Sequence, residues 1–231
     1  MSVLWLSIVI PTLNEAAGIR PLLLLLQPWR RRGVEIILAD GGSDDDTAVL
    51  AGPLVDRLVQ CERGRSLQQN SGAAAASGKV LWFLHADTTF VEDPVAALER
   101  LVSEGGFDAW GRFDVAPDVV DIRLRLVAAM MNLRSRWSGI ATGDQGIFAS
   151  RLLFERVGGF PVQPLMEDVE ISRRLKQFAA PVCLRQRLVI NTRRWRQRGV
   201  WRTVGQMWSL RARYFFGADP IVLHREYYGG Q

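Results

Sequence analysis

The sequence predicts an α/β fold in which a mostly parallel central sheet is flanked by helices and followed by a helical, basic C-terminal segment. Short apolar runs alternate with helical patterns through residues 1–90, as in consecutive βαβ units. One such run, Lys79–Leu84, is almost continuously apolar, which is typical of a parallel strand buried on both faces. In such sheets ligands bind at the carboxyl ends of the strands. Polar residues directly after the strands are therefore the candidates for function.

The first part of the chain yields three predicted strands and two predicted helices. The strands are Ser7–Ile10, Val34–Ala39 and Lys79–Leu84. One helix begins near Pro21 and carries Leu22–Leu26, and the other covers the alanine-rich Gln68–Ser77. The leucine run is too short to span a membrane and is expected to pack in the core.

The rest of the chain continues the same alternation without a recognisable linker. The predicted elements are a helix at Val95–Ser103, a strand at Phe107–Val115, a helix at Asp121–Asn132, an extended segment at Gln145–Ala149, a helix at Val169–Ala179 and a strand at Val182–Ile190. We expect one domain over residues 1–231, in which residues 1–90 and residues 91–198 differ in role and residues 199–231 form an amphipathic helix with a tail.

Charge is distributed unevenly along the 231 residues, whose net charge is +5. Residues 171–218 contain eleven arginines and one lysine but no aspartate or glutamate. Such a segment is expected to face phosphates, an anionic membrane or the acidic part of the same protein. Cys61 and Cys183 are isolated, which favours reduced thiols and a cytoplasmic location.

Acidic residues stand at three places where the pattern ends a strand or lies between a loop and a helix. Asp40 ends the second strand before two glycines, and Asp87 follows the third strand two residues after His85. Residues at i and i+2 of an extended segment point the same way, so His85 and Asp87 can address one ion or one phosphate. The pair Glu167-Asp168 begins a predicted helix, where acids also favour the helix dipole. A turn and a helix cap are the structural alternatives for these positions.

Together these segments resemble family 2 glycosyltransferases, over about residues 3–198. The resemblance is carried, in the expected order, by SIVIPTLNE (Ser7–Glu15), ADGGSDDDT (Ala39–Thr47), GRSLQQNSGAAAASG (Gly64–Gly78), LHADT (Leu84–Thr88), GDQG (Gly143–Gly146), GGFP (Gly158–Pro161) and MED (Met166–Asp168). It is nearest to a small bacterial subgroup described as arsenosugar-biosynthesis-like, a label that names no substrate. The resemblance implies the GT-A fold.

The resemblance also implies roles for individual residues. Those expected to bind the nucleotide sugar are Pro11, Asn14, Glu15, Asp40, Arg65, His85, Arg193 and Arg194. Asp87 would hold Mg²⁺ or Mn²⁺ on the diphosphate, although His85 replaces the first aspartate of the family's DxD motif. Asp168 would be the catalytic base. The acceptor-site candidates are Asp144, Gln145, Glu167 and Trp195.

The reaction implied is an inverting transfer from a UDP, GDP or dTDP sugar to a hydroxyl acceptor, either a small molecule or a lipid-linked one. Val200, Val204, Met207, Trp208 and Phe215 recur at helical spacing beside arginines. This stripe predicts either packing on the core or peripheral contact with an anionic membrane, on the inner face of which the enzyme would then act.

Parts of the sequence also suggest two other functions. The sequence pI of about 9.8 and the interleaved Arg and Trp residues suggest a nucleic-acid-binding module, but the acidic strand ends would repel phosphates, so no nucleic-acid partner is expected. A sugar nucleotidyltransferase would call for a glycine-rich loop after the first strand, where Pro11-Thr12-Leu13-Asn14-Glu15 stands instead.

Overall fold

A computed structural model describes residues 4–103 and 107–229. Its strands are β1 (Leu6–Thr12), β2 (Val34–Asp40), β3 (Arg57–Gln60), β4 (Val80–Phe83), β5 (Thr89–Phe90), β6 (Trp110–Pro117), β7 (Phe148–Ser150) and β8 (Val182–Ile190). Its α-helices are α1 (Ala16–Arg30), α2 (Thr47–Ala51), α3 (Arg65–Ala75), α4 (Pro94–Ser103), α5 (Ile122–Ser138), α6 (Arg151–Arg156), α7 (Glu167–Lys176), α8 (Arg193–Arg198), α9 (Val200–Phe215) and α10 (Pro220–Tyr228). Short 3₁₀ turns occupy Gly52–Leu54 and Gly143–Gln145.

One eight-stranded sheet runs through the molecule in the order β3-β2-β1-β4-β7-β6-β8-β5. The first four strands of this order are parallel to one another, and β6 is parallel to β8. The short strand β7 is antiparallel to both of its neighbours and joins the two parallel parts. The predicted mostly parallel α/β sheet flanked by helices is therefore confirmed.

Helices pack on both faces of the sheet and bury them. Successive side chains of a strand point to opposite faces, so neighbouring residues enter different cores. Ile8 and Ile10 of β1 pack with the leucines of α1 and with α4, while Val9 packs on the other face with α3, α6 and α7. Helix α3 approaches β1 closely at Gly72, where a Cβ atom would lie 2.4 Å from a methyl group of Val9. This close approach brings the start of α3 to the carboxyl edge of the sheet.

Several predicted elements have other bounds in the structure. Helix α3 begins at Arg65 rather than Gln68, β6 begins at Trp110 rather than Phe107, and α5 ends at Ser138 rather than Asn132. Helix α1 begins at Ala16, ahead of the predicted start at Pro21, which lies inside the helix. Its first amides are capped from outside, because Glu15 N–H donates to Thr47 Oγ1 (2.8 Å) and Ala16 N–H to Asp45 Oδ2 (3.1 Å). The segment predicted as extended from Gln145 instead starts with the 3₁₀ turn, and the strand begins only at Phe148.

Residues 199–229 contain two helices, α9 and α10, where the sequence indicated one helix and a tail; residues 230–231 lie outside the described residues. The predicted apolar stripe of α9 divides. Val200 is buried and packs with Val204 against α5, whereas Trp208 and Phe215 are exposed. None of the helices in residues 4–103 and 107–229 is long and apolar enough to cross a membrane.

Candidate active site

The loops after β1 and β2 are tied together by side chains of both. Asn14 has a left-handed backbone (φ 56°), its N–H donates to Ser43 Oγ (2.9 Å), and its Oδ1 accepts from Asp44 N–H (2.9 Å). Asn is one of the few residues that adopt this conformation readily. Asp40 is 1% exposed and its carboxylate accepts from the backbone and side chain of Ser43. Asp40 therefore shapes this loop, beside Pro11 at the predicted nucleotide edge.

A buried glutamine closes the same edge from the side of α3. The Gln68 amide donates to the carbonyl oxygens of Thr12 (2.5 Å) and Ala39 (3.3 Å), at the ends of β1 and β2. Thr12 is the last residue of β1 and Ala39 the last but one of β2. Thr12 O also accepts from Gly41 N–H (3.0 Å) and Ala39 O from Thr12 Oγ1 (3.4 Å), so the Gln68 side chain adds a second donor that bridges the two strand ends.

Glu15, His85 and Asp87 share the space beyond the adjacent strands β1 and β4. Burial raises the pKa of Glu15, and the negative charges of Asp87 and Asp45 raise it further, while His85 opposes them. Asp87 is exposed. The structure thus brings together two carboxylates whose mutual repulsion a cation would relieve.

Asp87 lines a cavity of about 310 Å³ together with the start of α8. The other residues of its wall are Asn191, Arg193, Arg194 and Gln197. The Arg194 guanidinium lies 4.0 Å from the ring centroid of Tyr227 in α10, and its Nη2 is buried without a hydrogen-bond partner in the described chain. A carboxylate facing two guanidiniums suits a metal-bound diphosphate.

His85 turns both ring nitrogens toward the 3₁₀ turn. Its Nδ1 lies 3.3 Å from Asp144 Oδ1, and its Nε2 is buried beside Gly143. Desolvation raises the pKa of Asp144. The His85 contact and the charges of Arg65 and Arg211 outweigh this effect and hold the pKa below its ordinary value. The histidine therefore links the end of β4 to this turn.

Asp168 holds the same turn from the other side. Its Oδ2 accepts from Gly143 N–H (2.9 Å) and its Oδ1 from Val169 N–H (2.7 Å). The preceding Met166 caps α7 in a left-handed conformation (φ 65°) and is buried against α9 and α10. Asn14 and Met166 are the only non-glycine residues with positive φ in the described chain, and both border the site.

The four acceptor-site candidates lie in different surroundings. Asp144 is half-exposed, and Trp195 lines a groove beside it. Gln145 is fully buried and donates to Ser135 Oγ (2.9 Å), so it supports the turn from inside. Glu167 is 4% exposed and pairs with Arg65 (3.5 Å); burial and then the charge of Asp168 raise its pKa.

Three residues at the site were not predicted from the sequence. Arg134 of α5 and Arg211 of α9 flank Asp144, and Tyr227 of α10 covers Arg194. The unpaired arginine within the Met- and Leu-rich part of α5 was the available signal for Arg134. No local pattern pointed to Tyr227, because α10 reaches the site only through tertiary packing.

No group of three or more His, Cys, Asp or Glu side chains within residues 4–103 and 107–229 forms a metal cage. The residues present fit a divalent cation held together with a diphosphate, since such ions keep few protein carboxylates and take phosphate oxygens. Asp87 is the exposed carboxylate available for this. The pKa of the neighbouring Glu15 is raised by burial first and then by the negative charges of Asp87 and Asp45, which a cation would offset.

Known proteins resemble this chain in both sequence and fold. An uncharacterized glycosyltransferase of Mycobacterium tuberculosis is 31% identical over 196 residues, which cover 78% of this chain and 71% of that protein. The mannosyltransferase PcManGT from Pyrobaculum calidifontis, solved with GDP-Man and Mn²⁺, superposes with a TM-score of 0.66 at 20% identity, covering 96% of this chain and 69% of that one. TarS 1–349 of S. aureus, solved with UDP, gives 0.63 at 15% identity, covering 81% of this chain and 60% of that one.

These structural neighbours establish a GT-A-like fold. The family described as Glycosyl transferase family 2 matches residues 7–147, which contain the ends of β1, β2 and β4. The chain belongs to family 2 of the glycosyltransferases.

Proposed function

We propose that this chain is a metal-dependent, inverting glycosyltransferase that moves a sugar from a UDP, GDP or dTDP sugar to a hydroxyl acceptor, either a small molecule or a lipid-linked one. The observation that carries the proposal is that the segments bearing Asp87 and Asp168 meet at the 143–145 turn. Asp87 follows β4 two residues after His85, which contacts Asp144, and Asp168, in the first turn of α7, accepts from Gly143 N–H. The neighbours solved with UDP and with GDP-Man and Mn²⁺ support a nucleotide-sugar donor.

In this proposal the donor lies across the ends of β1, β2 and β4. Pro11, Asn14, Glu15 and Asp40 form its nucleotide side, and Arg65 and His85 border the diphosphate. Asp87 would hold Mg²⁺ or Mn²⁺, which when bound neutralises charge on the diphosphate leaving group. Arg193 and Arg194, which face Asp87 across the cavity, add hydrogen bonds to the same oxygens.

Asp168 acts as the base on the acceptor side. The acceptor oxygen forms a bond to the anomeric carbon while the bond to the diphosphate oxygen breaks, with its electron pair leaving on the nucleoside diphosphate. The hydroxyl proton passes to Asp168, whose two backbone hydrogen bonds fix the orientation of the carboxylate. Attack from the side opposite to the leaving group inverts the configuration.

The single domain 1–231 would then consist of a donor half (1–90), an acceptor half (91–198) and a C-terminal part (199–231). The one sheet that runs through both halves supports a single domain. We also propose membership in the arsenosugar-biosynthesis-like subgroup. Exposed Trp201, Trp208, Phe215 and Phe216 beside arginines favour a peripheral site of action on the inner, cytoplasmic face of an anionic membrane.

Nucleotide binding tests the proposal directly. Thermal unfolding is measured with UDP, GDP, dTDP and their sugars, with and without Mn²⁺, for the wild type, for Asp87→Asn and for Glu92→Gln as a control. Glu92 is exposed and loses the same charge outside the cavity. A bound nucleotide at a hundred times its Kd stabilises by about 2.7 kcal/mol. We expect Mn²⁺ to increase this shift in the wild type and the control, but not in Asp87→Asn.

Two results would contradict the proposal. One is that no nucleotide stabilises the wild type; the other is that Asp87→Asn responds to Mn²⁺ as the control does. Once a donor is known, the anomeric configuration of the product, read by NMR, decides between inversion and retention.

A further inference from the structure

An apolar groove opens beside the candidate base. It lies between α5, α8 and α9, has a volume of about 540 Å³, and its walls are mostly Val, Met, Leu and Trp side chains, among them Met131, Trp137, Trp195 and Met207. Pockets for small ligands have volumes in the range of roughly 300–1,000 Å³. The groove is therefore large enough for an organic ligand and unsuited to a purely polar one.

The aromatic walls are not covered by the described part of the chain. Trp137 is 90% exposed and Trp208 is 59% exposed, on facing helices α5 and α9. Leu133, in the same wall, is 69% exposed. A continuous exposed apolar surface of this kind marks a binding site for an apolar group.

The inner end of the groove carries two positive charges. Arg134 and Arg211 both line it, next to Asp144, and within residues 4–103 and 107–229 neither guanidinium has a carboxylate oxygen within 4.0 Å. Nε and Nη2 of Arg134 are buried without a hydrogen-bond partner. Burial, and then the positive charge of Arg211, lower the pKa of Arg134 to about 10. Unpaired guanidiniums in such a place are stabilised by an anion.

The arginine-lined part of the groove lies beside the residues of the candidate active site. Asp144 contacts His85, and the adjacent Gly143 donates to Asp168. A group bound at Arg134 and Arg211 is thus held next to the residue that would deprotonate the acceptor. Asp144 and Asp168 offset part of the positive charge of Arg211 and Arg134 respectively. Each guanidinium still presents a planar fork of N–H donors, which matches the oxygens of a phosphate monoester.

We propose that the groove between α5, α8 and α9 binds the acceptor, and that the acceptor is a phosphorylated amphiphile. Its apolar chain lies between Trp137 and Trp208, and its phosphate lies against Arg134 and Arg211. The proposal rests on the proposed glycosyltransferase function, because it identifies the acceptor of that reaction.

The test uses 1-decanoyl lysophosphatidic acid, which combines an apolar chain, a phosphate and a free hydroxyl. Its binding to the full chain, below the micellar range, is measured by calorimetry against 1-decanoylglycerol and against inorganic phosphate. We expect both controls to bind at least about tenfold more weakly, since each lacks one of the two interactions. We also expect sugar transfer to the lysophosphatidate hydroxyl from the donor found by the nucleotide screen.

Matched arginine variants locate the phosphate. Arg134→Met is expected to weaken lysophosphatidate binding by about tenfold, because a charge-assisted pair is lost. Arg125→Met, on the exposed surface of the same helix, is expected to stay within about twofold. Val204→Trp, which fills the groove, is expected to abolish binding, and retained UDP binding shows that the variant is folded.

Each remaining outcome has a distinct meaning. If any of the screened nucleotides binds but lysophosphatidate does not, or binds no better than 1-decanoylglycerol, the acceptor proposal is overturned while the transferase function stands. If lysophosphatidate binds but no nucleotide does, the transferase function fails and the acceptor role with it. A wild-type dimer that Val204→Trp disperses, without lysophosphatidate binding, would assign the groove to contact between two copies of the chain.

Discussion

The proposed donor edge, at the ends of β1, β2 and β4, has polar groups that are hydrogen-bonded within the protein, whereas the groove beside α5 has polar groups without such partners. At the donor edge Asn14, Asp40 and Gln68 all hydrogen-bond within the protein, so the loops are held in one conformation before any ligand binds. In the groove Arg134 has buried nitrogens without partners and Trp137 is exposed. The first of these two sides is therefore preorganised by its own hydrogen bonds. The other side has interactions that a ligand would complete.

Three contacts join these two sides. His85 meets Asp144, Arg65 meets Glu167, and Gly143 donates to Asp168. In each pair one residue comes from the donor half or the 143–145 turn, and the other from that turn or α7. A change at this junction should affect the reaction far more than the binding of either substrate.

The largest expected effect is that of Asp168→Asn. Removing a general base lowers a rate by about 10²–10⁴-fold, so we expect transfer to fall by at least about a hundredfold. An asparagine oxygen still accepts from a backbone N–H, so UDP binding is expected to stay within a fewfold. Transfer is measured with a labelled donor and binding by calorimetry.

Glu170→Gln is the matched control on the same helix. Glu170 pairs with Arg173 and Arg174 on the surface, so its loss should leave the rate within about twofold. Full activity of Asp168→Asn, or an equal loss in Glu170→Gln, would remove Asp168 from the role of base.

A smaller effect, on stability, tests the preorganised side. Gln68→Ala removes the amide that bridges the carbonyl oxygens of Thr12 and Ala39, whereas the neighbouring Gln69 has a buried Oε1 with no partner in the described chain. Both changes remove the same volume. The two oxygens keep one other donor each, so we expect Gln68→Ala to lower the free energy of unfolding by about 0.5–1.5 kcal/mol more than Gln69→Ala does.

Urea unfolding of the two variants measures this difference. Gln68→Ala should also weaken nucleotide binding, because the strand ends that carry the donor loops are no longer held together. Equal destabilisation by the two alanines would show that the Gln68 hydrogen bonds do not organise the donor edge.

The smallest expected effect concerns Glu15. Because its pKa is raised above 4.5 in the folded protein, the folded state binds a proton more readily than the unfolded state does. The wild type therefore loses stability as the pH rises from 4.5 through the folded pKa. Glu15→Gln removes this loss and should raise the Tm by about 1–2 °C near neutral pH, with no gain at about pH 4.

Thermal unfolding at the two pH values measures the effect, with Glu92→Gln as a control that changes neither. A gain for Glu15→Gln that is the same at both pH values would mean that the carboxylate is not destabilised by Asp87 and Asp45. Added Mn²⁺ with the bound nucleotide should reduce the gain, because it supplies the missing positive charge.

Much of the donor side was predictable from the sequence because its signals are local. Apolar runs stop at Asp40 and shortly before His85 and Asp87, and parallel strands bring their carboxyl ends to one edge. β8 was predicted with its observed bounds, Val182–Ile190. The start of α1 was not, because its caps, Thr47 and Asp45, come from another loop.

The fold class, the family and the sheet edge that carries the predicted nucleotide-binding residues all followed from sequence patterns. Periodicity and the residues that follow each strand are properties of neighbouring positions, so they can be recognised without knowledge of the packing. The packing was needed to show that Gln145 is buried, that His85 faces Asp144, and that Arg134 and Arg211 line one apolar groove. Those contacts join residues far apart in the chain, and their partners are selected by how α5, α7 and α9 pack.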